Sequence, residues 1–246
     1  MNVELEGSME GQGGGHGRIM KCVVDGKINC IAKPIDHREK SAYEAIRGTS
    51  LEEITPKYFG TYESCGTEYI IIEDLTAGFK SPCIADFKVG TRHYDLTATE
   101  EKIHYLVEKQ KGSTTDSHGV RYIDIQTRRE GALVSHFDRK QGLKESFDGM
   151  SKKLIDFITP QHMDEFRRQI RHIEQKLTEN ICRNPGFRVY ASSVLIAYDG
   201  DDASKPLRCS LIDFAHLYVD IGEYSADSSY DDGVIKGVET MRAVTE

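Results

Sequence analysis

The 246-residue chain has no run of 18 apolar residues, so no transmembrane helix is expected. Its first residues are acidic and glycine-rich, unlike the basic and then apolar order of a secretory signal. The six cysteines (22, 30, 65, 83, 182 and 209) include no C-x-x-C pair, which argues against a zinc site. Nothing in their spacing suggests a disulfide framework, and a reducing cytoplasmic or nuclear compartment fits. Positive charge is also scarce. Lys and Arg number 32 against 40 Asp and Glu, and the net charge of −8 speaks against a general nucleic-acid binder. Three signatures of nucleotide enzymes are missing: a G-x-x-x-x-G-K-[ST] loop, a G-x-G-x-x-G loop and an H-R-D segment. What remains is a chain long enough to bury a full core, as one large domain or two lobes.

The first 17 residues read as a mobile leader, although the run Gly13–Gly17 around His16 is an alternative phosphate-covering loop. Arg18–Val24 and Lys27–Lys33 read as two strands around Asp25-Gly26, a hairpin signal. A short helix is expected over Arg38–Arg47 and a buried strand over Tyr69–Glu73. Thr97-Ala98-Thr99-Glu100 has the form of a capping box. The helix after it should bury Ile103, Leu106, Val107 and Gln110, with Lys102 and Lys109 two turns apart on nearly one azimuth. Val120–Thr127 alternates as a strand with Gln126 on its polar side. Thr159-Pro160 should open a long helix whose stripe is Met163, Phe166, Ile170, Ile173 and Leu177.

The densest signal is Pro82–Gly90. Read as a strand, it puts Cys83, Ala85, Phe87 and Val89 on one apolar face, with Asp86 and Lys88 together on the other. A carboxylate and an ammonium on one rigid face can act on one polyanion; an edge strand with a solvated face is the plainer alternative. Gly90 leaves room for a ligand or another backbone. Farther on, Arg188–Tyr198 and Leu207–His216 read as a hairpin centred near Ala203, with Ser193 opposite Asp213. A hydroxyl beside a carboxylate makes a hard oxygen site suited to Mg²⁺.

The pattern P-x-x-x-D-x-K-x-G at 82–90 resembles the signature of the inositol polyphosphate kinase family. Ala191-Ser192-Ser193-Val194-Leu195 is similar to that family's S-S-L-L element, with Val for the first Leu. Ser210–His216 is similar to its I-D-F-A-H element, and Asp232–Gly237 loosely to its closing D-x-G-x-x-x-G. The resemblance spans about Gly14 to Met241 and implies an α+β, two-lobed kinase-like fold. Residues 1–13 would be a flexible leader, 14–76 a β-rich N-lobe, and 77–246 a mixed C-lobe with a short helical inositol-phosphate-binding insert at about 96–155.

Its implied chemistry is ATP- and Mg²⁺-dependent phosphoryl transfer to an inositol polyphosphate, with no nucleic-acid or membrane partner and a monomeric protein. Lys33 would contact ATP phosphates, oriented by Glu39, while Glu73 and Leu75 meet adenine through the main chain. Asp213 would ligate the metal with Ser193 assisting. Asp86 would handle the proton of the attacking group and Lys88 would bridge the transferred phosphate. Lys102, Lys109, Gln126 and Lys140 would bind substrate. Only about 100 residues separate Gly90 from Ser192, which implies no large insert over the inositol site. Hexakisphosphate is then the expected acceptor, with multikinase or trisphosphate 3-kinase activity as alternatives. A non-catalytic inositol-phosphate-binding module should have lost Asp86, Lys88 or Asp213, and none is lost.

Overall fold

The computed structural model describes residues 2–8, 19–26, 28–184, 186–219 and 233–246. The expected Gly13–Gly17 loop with His16, and Asp232 of the closing motif, lie outside the described residues. A first antiparallel sheet has the order β1-β2-β3-β5-β4, from β1 (Val3–Ser8), β2 (Met20–Val24), β3 (Ile28–Pro34), β4 (Tyr58–Ser64) and β5 (Thr67–Glu73). Asp25 and Gly26, in the three-residue connection between the paired residues Val24 and Ile28, both have positive φ (51° and 66°), the left-handed region that Asp and Gly tolerate best. Between β3 and β4 lie α1 (His37–Ile46) and a 3₁₀ turn at Ser50–Ile54. The Asp36 carboxylate caps α1 by accepting from the Arg38 and Glu39 amides.

One expectation fails at the N-terminus. Val3–Ser8 is a strand paired with β2, so these residues are not part of a flexible leader. Val3 and Leu5 alternate toward a small core that includes Cys22, Val24 and Ile71, and that burial holds the strand in place.

The second sheet has the order β11-β10-β6-β7-β8, from β6 (Pro82–Val89), β7 (Val120–Arg129), β8 (Ala132–Phe137), β10 (Ser193–Asp199) and β11 (Arg208–Ile212). A two-stranded ribbon joins β9 (Arg188–Val189) to β12 (Leu217–Tyr218). Burial alternates along β6 as expected: Cys83, Ala85, Phe87 and Val89 are nearly inaccessible, with Asp86 and Lys88 on the opposite face. That apolar face belongs to the main core with the buried stripe Phe166, Ile170, Ile173, Leu177 and Ile181 of α6 (Met163–Arg183). α7 (Gly233–Thr245) packs against both β6 and α6.

Glycine is needed where α7 meets the sheet. A Cβ on Gly237 would stand 2.3 Å from the Gly119 carbonyl oxygen and 2.9 Å from the Gly90 nitrogen. The Gly90 amide itself donates to the Gly119 carbonyl at 2.8 Å. So the close approach at Gly90 is to another backbone, and it anchors the end of the signature strand.

The remaining helices are α2 (Glu100–Gln110), α3 (Thr114–His118), α4 (Arg139–Lys144) and α5 (Phe147–Phe157). The cap of α2 is Thr99, whose hydroxyl accepts from the Lys102 amide, and Thr97 is instead engaged by Asp95. Of the expected α2 stripe, Gln110 is buried, Ile103 and Leu106 are half-buried, and Val107 is 48% exposed.

Candidate active site

Asp86, Lys88, Ser193 and Asp213 line one cavity of about 210 Å³ on the polar face of the second sheet. His93, Leu106, Lys109, Gln110, Arg121, Ile123, Arg139 and Ala191 complete its lining. Antiparallel pairing sets Ser193 opposite Lys88 and Leu195 opposite Asp86.

The β10–β11 hairpin differs from the expected register by one residue, pairing Ser193 with Ile212 rather than with Asp213. A slip of one residue sends a side chain to the other face. Asp213 recovers the shared face by leaving the ladder: its φ is +65°, a left-handed conformation that re-aims the side chain. The Ser192 hydroxyl donates to the Asp213 carbonyl at 3.1 Å and ties down this turn.

Across the cleft, the Lys33 ammonium of β3 donates to Glu39 Oε1 at 2.9 Å and to Asp213 Oδ1 at 3.1 Å. One lysine thus joins the two sheets. Burial works against its charge, but Asp213 and Glu39 outweigh burial and raise its pKa. Burial likewise pushes the Glu39 carboxyl up, with Lys33 opposing. Burial also acts to raise Asp213, yet Lys33 and Lys88 prevail and hold it below the usual carboxylate range. Its side chain remains 40% exposed at the cavity mouth.

Asp86 behaves in the opposite way. Burial, then the Asp213 charge, lifts it from 3.8 to about 7, against the pull of Lys88 and Ser193 and with Asp124 adding to the rise. Asp86 Oδ1 and Ser193 Oγ are both buried, with the Ser193 hydroxyl near enough to favour the ionised carboxylate. Lys88 donates to the Ala191 carbonyl at 2.8 Å, and burial lowers its pKa. The cavity therefore holds a carboxyl poised near neutrality, an ionised carboxylate, a hydroxyl and four cationic side chains (Lys88, Lys109, Arg121, Arg139). This set can bind a polyanion and move a proton on it.

The other expected site residues separate into two groups. Lys109 lines the cavity, its ammonium also 5.5 Å from the Tyr105 ring centroid. Lys102 is exposed and off the cavity; burial lowers the His216 pKa, and the Arg38 and Lys102 charges add to that fall. Gln126 is buried one strand over, donating to Asp124 Oδ2 at 2.7 Å. Lys140 is exposed, while its neighbour Arg139 enters the cavity. The capping box of Asp138 and Gln141 fixes the phase of α4, and one residue turns the helix by about 100°. Glu73 and Leu75 line a separate cavity of about 700 Å³ where Arg208 donates to the Leu75 carbonyl at 2.9 Å. The two cavities share no lining residue.

Arg121, Arg139 and His93 escaped the sequence reading. Arg121 has the parity of the apolar side of β7, opposite to Gln126. A β-bulge at the Asp86/Phe87 step shifts the register, from Asp86 opposite Asp124 to Phe87 opposite Tyr122, and sets Arg121 opposite Lys88. Period-two reading does not see a bulge. Burial, then Arg139, lowers the Arg121 pKa to about 10. At the cleft rim, Asp95 Oδ2 accepts from Arg38 at 2.7 Å and lies 3.0 Å from His216 Nδ1.

A sequence model described as inositol polyphosphate kinase matches residues 69–246. The chain belongs to the inositol polyphosphate kinase family. Human inositol hexakisphosphate kinase 2 is 32% identical over 168 residues, covering 66% of this chain and 38% of that protein. Inositol hexakisphosphate kinase 1 of Saccharomyces cerevisiae is 26% identical over 247 residues, covering 90% of this chain and 23% of that protein. The chain thus spans well under half the length of these relatives. Among solved structures, the S. cerevisiae inositol phosphate multikinase Ipk2 in complex with ADP and Mn²⁺ superposes with a TM-score of 0.71. It is 22% identical, and the match covers 88% of this chain and 97% of that one. The mixed α and β, kinase-like fold is therefore shared. No helix among the described residues is long and apolar enough to cross a membrane.

Proposed function

We propose that this chain transfers the γ-phosphoryl group of ATP to an inositol polyphosphate. The observation that carries this reading is the single cavity in which Asp86, Lys88 and Asp213 meet Lys109, Arg121 and Arg139, with Lys33 bridging from the other sheet. Phosphoryl transfer asks mainly for positioning and charge stabilisation. Lys33, oriented by Glu39, contacts ATP phosphates, and the main chain at Glu73 and Leu75 meets adenine. Residues up to 76 act as the N-lobe and those from 77 as the C-lobe, with an acceptor-binding insert at about 96–155.

Asp213 and Ser193 would hold Mg²⁺. The buried Ser193 hydroxyl beside Asp86 and the ionised Asp213 are oxygen donors that fit a hard cation, and nucleotide oxygens would complete the shell. Bound there, the ion supplies charge neutralisation on the phosphates. Asp86, with a pKa of about 7, is matched to accept a proton near neutral pH. Lys88 bridges the transferred group, and Lys109, Arg121 and Arg139 hold acceptor phosphates. Lys102, Gln126 and Lys140 take no direct part.

The acceptor favoured is inositol hexakisphosphate, yielding a diphosphoinositol product, with lower inositol phosphates also used. The names of the curated relatives and the four cations of the cavity support this choice. A multikinase activity is the second reading, favoured by the Asp86 pKa, which suits a hydroxyl acceptor better than an already ionised phosphate. The test incubates purified protein with Mg-ATP and a panel of inositol phosphates and resolves products by anion-exchange chromatography. Product from a trisphosphate but none from the hexakisphosphate selects the multikinase reading. No product from any ring overturns the kinase proposal.

A further inference from the structure

Arg208 reaches from the second sheet to the segment that follows β5. Its Nη1 donates to the Leu75 carbonyl at 2.9 Å, and the guanidinium lies 4.6 Å from the centroid of the Phe79 ring. A planar cation stacked on an aromatic face keeps its in-plane N–H groups directed at one acceptor. The backbone beside Leu75 is fixed as well. The Asp74 carboxylate accepts from the Thr76 amide at 2.8 Å and from the Thr76 hydroxyl at 2.6 Å. Glu73, Leu75, Arg208 and Ser210 all line the cavity of about 700 Å³. Leu75 therefore borders a cavity with its carbonyl engaged by a cation. A second donor approaching that carbonyl would meet a guanidinium, which offers only N–H groups and positive charge.

Resting on the reading above that Glu73 and Leu75 meet the nucleotide base through the main chain, we propose that Arg208 is a specificity-determining residue that selects adenine over guanine nucleotides by occupying the Leu75 carbonyl. The two purines differ along the edge that a backbone can read. Adenine presents one donor, its exocyclic amine, and one acceptor, its N1, with a plain C2–H beside it. Guanine presents an acceptor, its O6, followed by two donors, its N1–H and its 2-amino group. The Glu73 carbonyl and the Leu75 N–H can satisfy adenine while the Leu75 carbonyl serves Arg208. Guanine has donors to place beside the Leu75 N–H, and the matching acceptor is the carbonyl of that same residue. With Arg208 bound to it, those donors face a cation. A donor shut away from water without a partner costs more than a made bond gains, so Arg208 acts chiefly by rejecting guanine.

The test measures ADP and GDP binding to the full chain by calorimetry near neutral pH, on wild type, Arg208→Leu and Arg208→Lys. Leu removes the charge and the donors, and Lys keeps a charged donor. Wild type is expected to prefer ADP by at least about tenfold. Arg208→Leu should narrow the ADP-to-GDP ratio by about tenfold, mainly through a gain in GDP affinity, and Arg208→Lys should keep most of the wild-type preference. Thermal unfolding without nucleotide identifies the folded variants. Arg208→Gln, which also removes the charge, takes the place of Leu if that variant does not fold. A wild type with no ADP preference, an unchanged ratio in the folded charge-free variant, or a Lys variant as permissive as that one overturns the assignment. A protein that binds ADP selectively but phosphorylates no inositol phosphate overturns the transfer proposed above and supports this inference. A wild type that binds neither nucleotide overturns both.

Discussion

Replacing Asp86 by Asn should make the protein more stable and less active, because the same burial that tunes the carboxyl also strains the fold. Asp86 rises from 3.8 to about 7 on folding, chiefly through burial and then through Asp213. A carboxyl whose folded pKa lies above its unfolded value binds more protons in the native state. Stability therefore falls as pH rises from about 4 to about 7, and the full penalty is present above that window. A shift of about three units corresponds to an upper bound of roughly 4 kcal/mol. Local relaxation and the loss of a partner for Lys88 reduce the recoverable part to about 1–3 kcal/mol. For a chain of this size each kcal/mol moves Tm by about 2–4 °C, so Asp86→Asn should gain roughly 2–12 °C above neutrality. The gain should fade toward pH 4, where the native carboxyl is protonated and resembles the amide. The measurement is thermal unfolding from acid to mildly alkaline pH, without nucleotide or divalent cation. In parallel, transfer to a ring hydroxyl should fall by about 10²–10⁴-fold as the proposed general base is lost. Transfer to a substrate phosphate should fall less, since little proton remains to be removed. A variant that is equally or less stable than wild type across the whole range would show that Asp86 is not a strained, half-ionised group.

Asp213→Asn should lower turnover by about 10²–10³-fold, the scale of losing one charge-stabilising group, with a Tm change of only a few degrees because Glu39 still holds Lys33. A folded Asn variant with a near wild-type rate would remove Asp213 from the metal site. Lys109→Ala should weaken inositol phosphate binding by about 1–3 kcal/mol and ATP binding much less, whereas Lys102→Ala should have a smaller effect on both. The reverse ranking in titrations would show that α2 presents its other lysine to the substrate. Gly237→Ala should destabilise by about 1–3 kcal/mol, since the added Cβ meets rigid backbone at Gly119 and Gly90 rather than movable side chains. Chemical denaturation giving an unchanged midpoint would show that α7 can shift without cost.

Local periodicity and turn chemistry were enough to read much of the frame from sequence. The alternation along Pro82–Val89 put Asp86 and Lys88 on one face without knowledge of any partner strand. Asp25-Gly26 specified its hairpin because few residues tolerate two consecutive positive φ values, and the stripe of α6 specified its buried side. Tertiary structure decided who joins Asp86 and Lys88. A β-bulge reversed the face of Arg121, a capping box selected Arg139 over Lys140, and one left-handed residue returned Asp213 to the face of Ser193. Each is a single-residue departure from a regular period, set by how neighbouring strands and helices pack, and a pattern read along one strand or helix averages over such departures. The pairing of β1 with β2, the glycine contact that seats α7 and the bond from Arg208 to the Leu75 carbonyl likewise depend on segments distant in the chain.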